Sequence, residues 1–221
     1  MGLTISYTLS TGQKLPELLV RKLTEQTAKL AQAIGCLAVD GPDPGGPDHW
    51  KLRKLRDGSI TGDALSASAG WSVMVLPGEG SEPAYFGLCR YPGINGWKLS
   101  CACKTQYAAR HGINHFLACH RRVISLLDLW RDFGVDMKVC DEGEYWQTPS
   151  LKQLRRRVAT YDRLVAGVAG SLKDEADSHG SAVQAEIFND QRFELLEAEG
   201  RIEFAGQLDE LRAQIRRGDE S

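Results

Sequence analysis

Two short runs hold the side chains best suited to chemistry. Lys104, Thr105, Gln106 and Tyr107 (KTQY) follow one alternating stretch, and Asp141, Glu142, Glu144, Tyr145 and Trp146 (DEGEYW) follow another. A lysine or tyrosine beside carboxylates can move protons, and paired carboxylates can hold a divalent cation. Lys104, Tyr107, Asp141, Glu142 and Glu144 therefore form the candidate catalytic set. The bland account is a solvated loop whose ion pairs contribute at most about 1 kcal/mol. Tyr145 and Trp146 tilt the reading toward binding, because a merely solvated loop has little use for aromatic rings.

A second grouping is thiol and imidazole. Cys101 and Cys103 share one face of a strand, and His115 and Cys119 lie four apart on one side of a helix. Four soft ligands can gather around zinc, but the strand spacing is C-x-C rather than a C-x-x-C knuckle. Both cysteines also share their face with Trp97 and Leu99, so buried thiols are the better reading and no metal is expected. His120 falls in the apolar band of its helix and reads as a hydrogen-bonded core histidine. A third grouping is the basic run Lys152, Arg155, Arg156 and Arg157 near a helix start, where cations oppose the macrodipole. The acidic loop at Asp141–Glu144 is its nearest partner in sequence. Phosphate or RNA binding is weakly supported, since no aromatic platform accompanies the run. Arg155 and Arg156 join Glu144, Tyr145 and Trp146 as partner-binding candidates. The glycines at 78–80 and 167–170 match neither phosphate-binding fingerprint.

These groups need elements to position them. Trp97, Leu99, Cys101 and Cys103 alternate with Lys98, Ser100 and Ala102, which predicts a strand. A wide apolar band from Ile113 to Phe133 predicts a helix ending at Gly134. Val135, Met137 and Val139 then alternate in a second strand. Strand, crossover helix and strand should be parallel and right-handed, so both trailing loops meet at one sheet edge, where ligands sit in open α/β sheets. Earlier, Leu3–Leu9 predicts a strand, and Leu19, Leu23, Leu30 and Ile34 mark a helix between Pro16 and Gly35. Cys36–Val39, Trp71–Leu76 and Tyr85–Cys89 predict three more strands. Thr11–Lys14, Asp40–Pro47 and Tyr91–Gly96 read as turns, and little looks packed between Pro47 and Trp71. Beyond Thr148-Pro149, Leu151, Leu154, Val158, Tyr161, Val165, Val168 and Leu172 trace a single-faced helix.

Composition sets the outer limits. The chain has 221 residues, 42% hydrophobic and 25% charged, with 27 Lys plus Arg against 29 Asp plus Glu. That balance offers no global field for nucleic acid. No apolar run approaches bilayer length and no secretory h-region opens the chain, so a cytoplasmic protein with reduced thiols is expected.

The strings MGLTISY, PGEGSEPAYFGLCRYP, CKTQYA, DEGEYW and SLKD resemble a bacterial family of uncharacterised proteins. The resemblance reaches to about Asp174. It implies one compact module followed by a separate tail, and no activity.

The expected fold is α+β (an α/β sandwich), with a mixed sheet of five or six strands, three long helices and a C-terminal arm. A single domain at 1–174 should precede a polar linker and a helical or partly disordered arm at 175–221. The preferred function is an accessory or regulatory protein. It would hold another protein through Glu144, Tyr145, Trp146 and the arm, and a homodimer is a separate possibility. The alternative is a hydrolase or transferase using Lys104, Tyr107, Asp141, Glu142 and Glu144. No cofactor is expected.

Overall fold

The computed structural model describes residues 3–12, 15–45, 52–56, 59–65, 67–92 and 95–218. Gln13, Lys14, Gly46, Pro47, Gly93 and Ile94 of the expected turns lie outside that set. The chain divides into two compact units, Gly2–Leu151 and Lys152–Ser221.

The first unit runs β1 (Thr4–Thr11), α1 (Glu17–Ala33), β2 (Ala38–Pro44), β3 (Leu52–Arg56), β4 (Ser59–Leu65), β5 (Ala69–Leu76), β6 (Ala84–Arg90) and β7 (Trp97–Lys104). A 3₁₀ turn at Gln106–His111 then leads to α2 (Ile113–Asp132) and β8 (Asp136–Asp141). Six strands form one sheet in the order β2-β5-β6-β7-β1-β8, and β3 pairs with β4 as a separate ladder. The class is α+β. Every neighbouring pair in the sheet is antiparallel, so the expectation of a mixed sheet with β7 and β8 side by side is corrected. The two do run in the same direction, because β1 lies between them and is antiparallel to both. Alternation sets which face a residue occupies, not which strand sits next door.

One face of this sheet is the core. Ile5, Tyr7 and Leu9 of β1 meet Leu99, Cys101 and Cys103 of β7, with Val20 and Leu23 of α1 and Val123, Leu127 and Trp130 of α2 above them. Trp130 is fully buried, and its indole N–H donates to Thr27 Oγ1 at 3.0 Å, which ties α2 to α1. Gly134 follows α2 with φ of 76°, the left-handed turn that lets the chain fold back into β8. On the other face of β1, Ser6 is exposed and Thr8 half-buried, as period-2 alternation requires.

One expectation fails at β2. Asp40–Pro44 belongs to a strand rather than to a turn, paired with β5 through a register shift between Asp40 and Asp43. β2 is the edge of the sheet, the place where a strand tolerates proline. The stretch before Trp71, where little looks packed in the sequence, contains the β3–β4 ladder.

The second unit is built from α3 (Leu151–Ser178) and α4 (Phe193–Gly218). The sequence placed the end of the domain near Asp174, which lies inside α3. The helices are antiparallel, with Gly170 near Glu197, Gly167 near Gly200 and Arg163 bonded to Glu203. A Cβ at Gly167 would come within 2.8 Å of the Gly200 carbonyl carbon, and one at Gly200 within 2.7 Å of the Arg163 carbonyl carbon. Only residues without a side chain allow backbones this close. No helix among the described residues is long and apolar enough to cross a membrane.

Candidate functional site

The expected rim is assembled around the start of β1. Lys104 pairs with Thr4 from the β7 side, and on the β8 side the Glu142 N–H donates to the Thr4 carbonyl at 3.2 Å. Both trailing loops therefore reach the same end of the sheet, with backbones two strand spacings, or roughly 10 Å, apart.

What lies beneath that rim is a buried polar chain. The side chains of His120 and Asp141 are 0% exposed, and Thr105 is equally sealed. Thr105 Oγ1 lies 2.9 Å from His120 Nδ1, and His120 Nε2 lies 3.2 Å from the Asp141 carboxylate. An imidazole protonated at Nε2 satisfies both contacts: it donates to the carboxylate and accepts the threonine hydroxyl. Asp141 also accepts the N–H of Gly143 at 2.8 Å and of Trp146 at 2.9 Å. Burial pushes its pKa up, but the hydrogen bond and electrostatic attraction of the His120 N–H and the two backbone amides outweigh that and hold it below the usual carboxylate range. Phe116 and the edge of Tyr145 close over the imidazole, with ring centroids 5.7 and 6.3 Å away.

Hydroxyl, imidazole and carboxylate are the parts of a nucleophilic triad. Here they cannot act as one, because a nucleophile must touch its substrate and Thr105 is enclosed. The chain instead joins the end of β7, the middle of α2 and the end of β8. Asp141, expected as a catalytic rim residue, is thus a buried anchor. His120 is the hydrogen-bonded core residue its position implied.

The remaining rim candidates are held in other ways. The Glu142 carboxylate accepts the Thr4 N–H at 2.8 Å. The Lys104 N–H donates to Glu82 Oε2 at 3.1 Å, while its ammonium lies 3.9 Å from Glu82 Oε1. Glu82 escaped the sequence reading, since nothing in PGEGSEP marks it as the cross-loop partner of Lys104. Tyr107 is 40% exposed, with the Arg110 guanidinium 5.3 Å over its ring. Half-buried Trp146 carries Arg131 at 5.0 Å in the same manner. Glu144 has φ of 59°, the one described non-glycine residue in left-handed conformation. Arg155 and Arg156 are exposed and belong to the second unit.

The thiol and imidazole grouping does not gather. Cys101 Sγ accepts the Tyr85 N–H at 3.4 Å, Cys103 donates to the Glu82 carbonyl at 3.1 Å, and burial raises the pKa of both thiols. Among the described residues no group of three potential ligands could hold a metal ion. Cys119 Sγ does lie 3.4 Å from His115 Nε2, but that nitrogen is 3.0 Å from the Glu79 carbonyl. Its proton points at the carbonyl, so it cannot serve as base to the thiol. Cys119 is fully buried as well.

Compared with protein-family models, curated proteins and solved structures, the chain matches none. The site's own geometry therefore carries the functional reading. A further surface feature lies beside the rim. The outer face of β1, β7 and β8 forms an open groove of about 520 Å³, lined by Ser6, Thr8, Ser100, Ala102, Lys138 and Cys140 among others. Thr8 and Ser100 share a 2.8 Å hydroxyl hydrogen bond on its floor.

Proposed function

We propose that this protein is a binding module, an accessory or regulatory protein that holds a protein partner through its rim and its C-terminal helical arm. The observation that carries this reading is the engagement of the acid–base candidates by the fold itself. Asp141 is saturated by His120 and two amides, Glu142 holds the first residues of β1, and Lys104 lies against Glu82. Rings stacked under guanidinium groups, Tyr107 with Arg110 and Trp146 with Arg131, populate the periphery instead. Tyrosine, tryptophan and arginine are the residues enriched at protein interfaces. Six free cysteines fit a reducing compartment, and the cytoplasm is the proposed location.

The test pairs two surface variants with the wild-type chain as bait in an extract of the source cells. Tyr107→Ala and Glu144→Lys should each reduce capture of the same partner, while Lys104→Ala leaves it within about twofold, a rim charge of small effect. Turnover of any small molecule that Lys104→Ala abolishes would instead establish the enzyme reading.

A further inference from the structure

β8 ends the sheet, and among the described residues no strand pairs with its far edge. The opposite edge, β2, is blunted by Pro42, Pro44 and a bulge. β8 carries neither proline nor glycine, and its register with β1 is unbroken from Ile5–Asp141 to Ser10–Asp136. Because the Glu142 N–H points to β1, alternation turns the backbones of Asp136, Lys138 and Cys140 toward β1 as well. The backbones of Met137, Val139 and Asp141 then face outward. Met137 and Val139 are only half-buried, and Asp136, Lys138 and Cys140 are exposed.

We propose that two copies of this chain pair antiparallel through β8, with Met137 opposite Met137, to form a continuous sheet across a dimer axis. Charge selects this register from its neighbours. With Met137 on the axis, Asp136 of each copy opposes Lys138 of the other, giving two ion pairs on the outer face. They fall at non-hydrogen-bonded positions, where side chains approach most closely. Shifting the axis to Lys138 sets that lysine against itself. Shifting it to Val139 opposes Asp136 with Glu142. On the inner face the favoured register matches Val135 with Val139 and Met137 with Met137, all apolar. Val135 contributes its carbonyl alone, since its N–H already donates to the Trp130 carbonyl at 3.2 Å. The dimer is distinct from the rim, and its two-fold axis would leave two rims at opposite ends of the joint, available to a bivalent partner.

Sedimentation of the full chain over a concentration series tests this. The wild type should dimerise, and Asp136→Lys and Lys138→Asp should each raise the dissociation constant roughly tenfold or more, since each turns two facing pairs into like charges. The double variant should restore the wild-type value, because the pairs are regained with signs exchanged. Circular dichroism of each variant should match the wild type, because the substituted side chains are exposed. A chain still monomeric at roughly 100 µM overturns the proposal. So does a dimer indifferent to both single changes, or one that the double change fails to restore.

Discussion

The buried junction at Asp141 and the α3–α4 contact both hold helices in place with polar groups close by, and they do it by opposite physics. At the junction, His120 and Asp141 are out of water and every carboxylate contact is made by the fold. Removing one partner there strands the other in a low-dielectric interior. Between α3 and α4, the Arg201–Asp174 pair is exposed and the Arg163–Glu203 pair half-buried, and the close approach is made by Gly167 and Gly200 backbones. Charge positions the first region, and the absence of side chains positions the second.

Asp141→Ala should expose that difference most strongly. It leaves the His120 imidazole and two amides without their acceptor, and we expect a loss of about 3–5 kcal/mol in urea unfolding. Tryptophan fluorescence is the suitable readout, since all five tryptophans precede Lys152. A loss under 1 kcal/mol would mean the junction contributes little. The same site predicts an acid dependence. The carboxyl pKa is lower folded than unfolded, so its stabilisation is complete above about pH 4 and disappears as pH falls through the folded value. The stability gap between wild type and Asp141→Asn should therefore narrow below about pH 4, and a gap independent of pH contradicts the assignment.

Gly200→Val asks the same question of the second region. Its side chain would meet the Arg163 backbone, which cannot move without shifting α3. Overpacking of this kind costs about 1–3 kcal/mol, visible as lost far-ultraviolet helical signal at lower denaturant. An unchanged midpoint would show that the two helices part easily.

Much of the junction could be read from the chain, and what was missed was its convergence. The inward row Cys101–Cys103 continues to Thr105, and the row Val135–Met137–Val139 continues to Asp141. Both rows end in a polar residue, and His120 is the polar member of the apolar band on the helix between them. Extending each period by one step would have placed all three together. Alternation alone ends each strand one residue short, which leaves Asp141 in the loop at the rim. The position of β1 between β7 and β8 was not legible, because Leu3, Ile5, Tyr7 and Leu9 specify a buried face and say nothing about neighbours. Nor was β2, whose prolines read as turn signals until the strand is known to be an edge. In the second unit, Gly167 and Gly170 match no phosphate-binding fingerprint, and as helical glycines they mark close packing against Gly200 and Glu197.

Glu144 tests whether the rim loop keeps a strained residue for binding. At φ of 59° a glycine fits without the Cβ penalty, so Glu144→Gly should stabilise the unit by a few tenths to about 1 kcal/mol. If the same variant loses the captured partner, the strain is retained for function. If it destabilises instead, the side chain does more for the fold than its backbone costs.

The smallest effect belongs to Arg201, and it sharpens the contrast most. Its guanidinium lies 2.6 Å from Asp174 and 2.5 Å from Glu197, shorter than the contacts His120 makes. Distance alone would rank this pair above the buried one. Water and salt reach it, however, and an exposed pair gains little over two solvated ions while it restricts long side chains. Arg201→Ala should leave the helical unfolding midpoint unchanged, and raising salt to about 1 M should do no more, because the Debye length then falls to about 3 Å. Gly200, one residue away on the same helix, should dominate it. A larger loss from Arg201→Ala than from Gly200→Val would invert the order and place charge, not backbone proximity, at the centre of that contact.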